Sequence, residues 1–131
     1  MSIPSGSGTE VLSRGTIDCD ASDTWHYLGG EGFSGASGTT TRTVDANKII
    51  TILNFNVTER ANASGKAFSV DVRNESASHT SRILQLQEIP AYGTFIYNDK
   101  IVLLPSDYIR IAANAVATFD ISFVYIIQDW T

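Results

Sequence analysis

The sequence predicts an all-β domain, a single antiparallel β-sandwich of jelly-roll type, and three observations support this prediction. Apolar and polar residues alternate along segments such as 68–72 and 119–127, which is typical of strands with one buried face. Turn residues, for example at 98–99 and 105–107, separate these short segments. Helix-forming composition is confined to residues 112–117, a stretch too short to be stable alone. About eight to ten strands at this spacing, without alternating helices, indicate two packed sheets.

The length of 131 residues supports one domain with its own core. Residues 1–8 are predicted to form a flexible N-terminal arm, because they are rich in Gly and Ser and nothing apolar except Ile3 could anchor them. Residues 9–131 are predicted to form the sandwich domain.

Strands are predicted where β-branched and aromatic residues concentrate. In chain order they are 11–17, 24–28, 39–44, 49–58, 68–72, 83–87, 94–97, 101–104, 108–111 and 119–127. The glycine-rich segment 29–38 is predicted to be a loop. Within 49–58, Ile49 and Leu53 are expected to share one face with Phe55 and Val57.

Three predicted strands are apolar on both faces over part of their length, at 49–53, 101–104 and 123–127. In a sandwich made by one chain the outer face of each strand meets water, so these segments need a cover. Either the loop 29–38 folds over them, or they belong to a subunit interface. A charged content of only 18% favours the interface, and we therefore predict a homo-oligomer.

Charge and hydropathy disfavour two classes of partner. Nine basic and fourteen acidic residues give a net charge of -5, which repels nucleic acids and anionic lipids. The uninterrupted apolar runs, such as 101–104, are far short of a membrane span, and the first residues do not have the pattern of a secretory signal. We expect a protein made in a reducing cytosol that binds neither nucleic acid nor membrane.

No metal site is predicted. Asp18, Asp20 and Asp23 place three carboxylates within six residues, but the segment lacks the Gly and the distal Glu of an EF-hand loop. A solvated turn is therefore the interpretation, and calcium binding at this turn is the alternative left open. His26 and His79 have no partner at metal-ligand spacing.

No catalytic or cofactor-binding residue is predicted either. A Gly-x-Ser-x-Gly elbow is absent, and the glycine-rich segment leads into a Thr-rich strand instead of a helix that could hold phosphate. The acidic surroundings of Cys19 disfavour a nucleophilic thiolate. We expect a protein that is not an enzyme.

Several aromatic side chains could present flat faces to a sugar, beside Asn and Asp residues that form hydrogen bonds. They are Trp25, Tyr27, Phe33, Tyr92, Tyr97 and Trp130. Phe33 in the glycine-rich segment and Tyr92 in the turn 90–93 are expected to be the least core-like. A glycan-binding adhesin module is therefore an alternative function.

Residues 43–128 resemble a group of small β-sandwich structural proteins of tailed bacteriophages. The matching segments are 43–47 (Thr-Val-Asp-Ala-Asn) before a strand, the alternating 68–72, then 89–94, 104–111 and the closing strand 117–127. Asp45 stands where these proteins usually have proline, and Ser106 where they usually have glycine.

The resemblance implies a non-enzymatic virion protein. It favours a capsid decoration (cement) protein that binds the major capsid protein or another virion protein, often as a homotrimer, and stabilises the head. A tail, neck or fibre component is the alternative. In this interpretation Ile3, Val11 and Leu12 anchor a partner, and Phe33 and Tyr92 are the other candidate partner-binding residues.

Overall fold

The computed structural model describes residues 8–19, 24–35, 38–62, 65–114 and 119–130, and within these ranges all regular structure is β-strand. The strands are β1 (Thr9–Cys19), β2 (His26–Tyr27), β3 (Phe33–Ser34), β4 (Thr43–Val44), β5 (Lys48–Glu59), β6 (Lys66–Asn74), β7 (His79–Ile89), β8 (Thr94–Tyr97), β9 (Ile101–Leu103), β10 (Tyr108–Ala113) and β11 (Phe119–Asp129). The all-β prediction is confirmed. No helix of the described residues is long and apolar enough to cross a bilayer.

The strands form two main antiparallel sheets. One has the order β1-β11-β5-β8, with β9 pairing the other end of β5, and the second has the order β2-β10-β6-β7. A small third sheet joins β3 to β4. When β8 and β9 are taken as one interrupted strand, the two orders are those of a jelly roll. The predicted jelly-roll-like sandwich is confirmed.

The core lies between the two sheets and is built by alternation. In β11 the buried residues are Phe119, Ile121, Phe123, Tyr125 and Ile127, as predicted. The ring of Phe68 in β6 contacts those of Phe95 in β8 and Phe119 edge-on, with centroid distances of 5.5 and 6.0 Å. These aromatic contacts tie one sheet to the other.

A β-bulge in β5 overturns the predicted face of Ile49 and Leu53. Asn54 and Ile52 pair with consecutive residues of β11, so Leu53 has no partner in the register. The extra residue reverses the alternation. Ile50 and Ile52 are therefore fully buried, whereas Ile49 and Leu53 lie only partly covered on the other face.

The glycine-rich segment contains β3 and is not only a loop, and the predicted strands 24–28 and 39–44 shorten to β2 and β4. Gly30 and Gly32 lie against the inner face of the larger sheet. A Cβ on Gly30 would lie 2.5 Å from the hydroxyl of Tyr125, and one on Gly32 would lie 2.9 Å from Cδ1 of Ile50. The described part of this segment therefore closes the core.

Gly15 in β1 gives the ring of Phe123 its position in the core. A Cβ on Gly15 would lie 2.4 Å from Cζ of Phe123. We expect Gly15→Ala to lower the free energy of unfolding by about 1–3 kcal/mol through overpacking, as measured by urea denaturation. Ser13→Ala, two residues earlier in β1, is the control and should change it by less than about 0.5 kcal/mol.

The double variant Gly15→Ala/Phe123→Leu separates this steric effect from a backbone effect. Leucine leaves room for the new methyl group, so the double variant should be more stable than the sum of the two single effects predicts. Additive effects would contradict the proposed clash.

Candidate binding surfaces

A row of side chains crosses the outer face of the larger sheet. Leu12 pairs with Ile126, Ile126 with Thr51, and Thr51 with Val102. Directly opposite residues of antiparallel strands point to the same face, so these four side chains form a line across β1, β11, β5 and β9. We call them the outer row. Its two ends are exposed, Leu12 at 68% and Val102 at 57%.

The outer row unites the three segments that the sequence predicts to be apolar on both faces. Segments 123–127, 49–53 and 101–104 lie in β11, β5 and the region of β9, which are neighbours in one sheet. Their second faces therefore form one continuous surface. Burial of such a surface is favourable by about 25 cal/mol per Å² of apolar area, which makes it a candidate interface.

The same outer face becomes polar toward the other end of β1. Nη2 of Arg60 donates to Asp18 at 3.0 Å, and its Nε lies 3.2 Å from Oδ1 of Asp120. The two carboxylates belong to an open concavity of about 460 Å³, lined by Thr16, Ile17, Asp18, Asn56, Thr58, Asp120, Ile121 and Ser122. The side chains of Arg60, Asp18 and Asp120 are about half exposed. Water therefore screens their attraction, and these ion pairs contribute little to stability.

The acidic turn falls partly in this region. Asp18 is bonded to Arg60, whereas Asp20 and Asp23 lie outside the described residues. Among the residues that are described, no group of three or more His, Cys, Asp or Glu side chains is placed to hold a metal ion. Calcium binding at the turn 18–23 stays an untested alternative.

A second surface lies on the outer face of the four-stranded sheet, where a carboxylate and two arginines surround an aromatic ring. The guanidinium carbons of Arg110 and Arg82 lie 4.1 and 5.4 Å from the centroid of Trp25. Arg82 Nε donates to Asp71 at 2.8 Å, and Arg110 Nη2 donates to it at 3.0 Å. We call these four residues the Trp25 cluster.

Asp71 is only 3% exposed although its side chain is on the outer side of β6. Burial disfavours the charged carboxylate, but the hydrogen bonds and charges of Arg82 and Arg110 outweigh this effect and lower its pKa. Asp71 is therefore ionised at neutral pH and holds both guanidinium groups beside the ring of Trp25.

A cavity of about 210 Å³ adjoins the Trp25 cluster. It is lined by Trp25, Ser69, Arg82, Leu86, Ala112, Ala113 and Asn114. Trp25 contributes apolar surface to this cavity, beside guanidinium, hydroxyl and amide groups that form directional hydrogen bonds. Such a combination suits a small polar ligand with apolar faces, such as a sugar ring.

Cys19 and His26 lie in contact, with Sγ 3.4 Å from Nδ1. The same Nδ1 lies 3.0 Å from the carbonyl oxygen of Thr24. A carbonyl only accepts hydrogen bonds, so Nδ1 carries a proton and has no lone pair to receive one from the thiol. Cys19 is also fully buried. The pair is therefore a buried contact of the kind that is typical of a structural role.

The predicted partner-binding residues are dispersed over the fold. Val11 and Leu12 are exposed in β1, at one edge of the larger sheet. Tyr92 is 68% exposed and precedes β8, at the opposite edge. Ile3 and most of the predicted arm lie outside the described residues, in 1–7.

The expectation that Phe33 is among the least core-like aromatic residues is wrong. Phe33 is 6% exposed, and its ring packs edge-on against Tyr125 with a centroid distance of 6.1 Å. It belongs to the core because β3 pairs with β4 and turns the side chain inward. Phe33 therefore has little surface to offer a partner.

Comparison with known proteins gives little guidance on function. No family model matches the chain, and no curated protein matches it. One similar solved structure is the xylan-binding module CBM15, at 13% sequence identity and a TM-score of 0.40. The match covers 89% of this chain and 97% of that chain. A likeness at this score carries no functional inference.

We expect Asp71→Asn to destabilise the protein and to weaken its sensitivity to acid. Because the pKa of Asp71 is lower in the folded state, its contribution is complete above about pH 4 and is lost as the pH falls further, through the folded-state pKa. The variant should lose about 1–3 kcal/mol of unfolding free energy at pH 7. Its stability should also decline less steeply than that of the wild type below about pH 4.

Urea denaturation at pH 7, 5 and 3 measures both effects. Asp99→Asn, in the exposed turn between β8 and β9, is the control for loss of one carboxylate. An equally steep decline of Asp71→Asn and wild type below pH 4 would show that Asp71 does not carry this pH dependence.

Proposed function

We propose that this chain is a non-catalytic structural protein of a bacteriophage particle, a capsid decoration protein that contacts the major capsid protein through the outer row. The observation that carries the proposal is the meeting of three doubly apolar segments on one outer face, with Leu12 and Val102 exposed at its ends. An apolar sheet face of this kind gains stability when a partner removes it from water. The resemblance of residues 43–128 to phage structural proteins supports the same function.

The absence of a catalytic role is part of the proposal. Cys19 is fully buried, and Nδ1 of His26 beside it is already in contact with the carbonyl oxygen of Thr24, which disfavours a nucleophilic role for the thiol. The two carboxylates at the polar end of the larger sheet, Asp18 and Asp120, are both paired with Arg60, which is the arrangement of a surface ion-pair network. The jelly-roll class includes viral capsid proteins and lectins alike, so the fold itself does not choose between assembly and glycan binding.

Purified particles from a culture that produces the chain test this function. Quantitative mass spectrometry should find the chain in high copy number, and a cryo-EM map should place the larger sheet with its outer face toward the shell. A few copies at the tail or neck would favour the tail alternative and contradict capsid decoration. Absence from the particles would overturn the virion role.

We expect Val102→Lys to weaken attachment to the capsid by about tenfold or more, because the ammonium group must be desolvated in the interface. Leu86→Lys is the matched control, since Leu86 is similarly exposed, at 54%, but lies beside the Trp25 cluster on the other sheet. Occupancy is measured by rebinding each purified variant to particles stripped of the chain. Equal occupancy of both variants would contradict docking through the outer row.

The cavity beside the Trp25 cluster supports glycan binding as a second candidate function. Its ring, guanidinium and amide groups are those that recognise a sugar. A glycan array followed by calorimetry should show binding that Trp25→Ala abolishes and Trp25→Phe partly restores. Tyr92→Ala tests the other exposed aromatic residue in the same assay. Failure of the wild type to bind any glycan would overturn this candidate.

A further inference from the structure

We propose that the free edge of β1 pairs with β1 of a second copy of this chain, antiparallel, about a twofold axis at Leu12. This inference deepens the proposed function, because it extends the outer row across two copies. It is tested on the purified protein alone, so its outcome is independent of any particle.

Among the described strands, β1 is the edge with the fewest features that protect against pairing. It is eleven residues long, and its register with β11 continues without a bulge from Thr9 to Cys19. No described strand pairs with its other side, and the strand contains no Pro or Lys. A long, regular edge of this kind presents a row of unpaired backbone N–H and C=O groups to another strand.

The other three edges are each short, irregular or interrupted. β2 has two residues, β7 is bulged at two places against β6, and the edge formed by β8 and β9 is broken by a turn. These are the features by which sandwich proteins avoid edge-to-edge pairing. Their lack in β1 indicates that this edge is used for pairing.

The charges of β1 favour a register with the twofold axis at Leu12. With Leu12 opposite its own copy, Glu10 of each chain faces Arg14 of the other, which gives two opposite-charge pairs on the outer face. A register centred on Arg14 would instead place the two Arg14 side chains opposite each other. It would also place Glu10 of each chain opposite Asp18 of the other, so that like charges meet at each of these pairs. Arg14 makes no ion pair with any described residue, and Glu10 uses only Oε1, to accept Gln128 Nε2 at 2.9 Å.

A register centred on Thr16 would also place Arg14 opposite a carboxylate, that of Asp18. Asp18 is already bonded to Arg60. The two ends of β1 also differ in exposure, since residues 9–12 are all exposed, whereas from Ser13 onward exposed and partly buried residues alternate and Cys19 is fully buried. The exposed end of the edge therefore favours the axis at Leu12.

Pairing in this register joins the two larger sheets into one. The outer row of each copy meets the other at Leu12, so eight side chains form a continuous line across both chains. The exposed side chains of Val11 and Leu12 are then covered at the axis. This symmetry is twofold and differs from the trimer that the phage resemblance implies.

Sedimentation equilibrium of the full chain at micromolar concentration should give the mass of a dimer. Arg14→Glu and Glu10→Arg should each raise the dissociation constant at least tenfold, because like charges then face each other. The double variant Glu10→Arg/Arg14→Glu restores both pairs and should restore the dimer. Lys100→Glu changes the net charge as Arg14→Glu does, but in an exposed turn, and should have no effect.

Leu12→Cys tests the axis itself. Two cysteines directly opposite each other should form a disulfide on oxidation, giving a covalent dimer, because their Cβ atoms lie about 4.5–5.5 Å apart. Val102→Cys, at the other end of the outer row, should remain monomeric on a denaturing gel. The native Cys19 is buried and should not contribute.

A monomer or a trimer in sedimentation would overturn this inference and would leave capsid attachment untouched. A dimer that is insensitive to the charge variants and is not cross-linked through Leu12→Cys would overturn the β1 pairing. Conversely, an intact dimer that does not attach to particles would contradict the proposed function and leave the pairing standing.

Discussion

The pairing of β11 with β1 on one side and with β5 on the other is the interaction on which the rest of the structure depends. β11 has eleven residues, and all of them have partners in both neighbours. Its odd-numbered residues build the core, and its even-numbered residues build the outer face of the larger sheet. Register with β11 therefore decides both what is buried and what is displayed.

The bulge at Leu53 shows how strongly this register acts. A strand that slips by one residue sends its whole apolar set to the other face. In β5 the bulge keeps Ile50, Ile52, Phe55 and Val57 all in the core, although these residues do not follow one uninterrupted alternation. It also puts Thr51 in line with Ile126 and Val102, which completes the outer row.

The sequence predicts most of this fold, because the longer strands alternate clearly. Strands β1, β5, β6, β8, β10 and β11 all lie where alternation or β-branched composition indicates them. Strands β2, β3 and β4 have two residues each, and they form by pairing across loops. Two residues are too few to show a periodic pattern in the sequence. Phe33 illustrates the difference, since glycine-rich surroundings indicate exposure whereas the contact with Tyr125 buries it.

The candidate surfaces are predicted less completely for the same reason. The doubly apolar segments are visible in the sequence, but their adjacency depends on the order of β11, β5 and β9. The Trp25 cluster gives no local signal, because Asp71, Arg82 and Arg110 come from three strands and Trp25 from the segment before a fourth. Only their meeting around one ring makes them a candidate site.

The polar end of the larger sheet limits how a partner can use the outer row. A partner displaced along the strands toward Asp120 would cover Asp18, Asp120 and Arg60, which are now about half exposed. Removing these charges from water costs more than their mutual attraction returns, unless the partner supplies matching groups. The outer row therefore has a defined boundary within its own sheet. Contact is favourable at the apolar end and unfavourable at the charged end, so one face both attracts a partner and fixes its position along the strands.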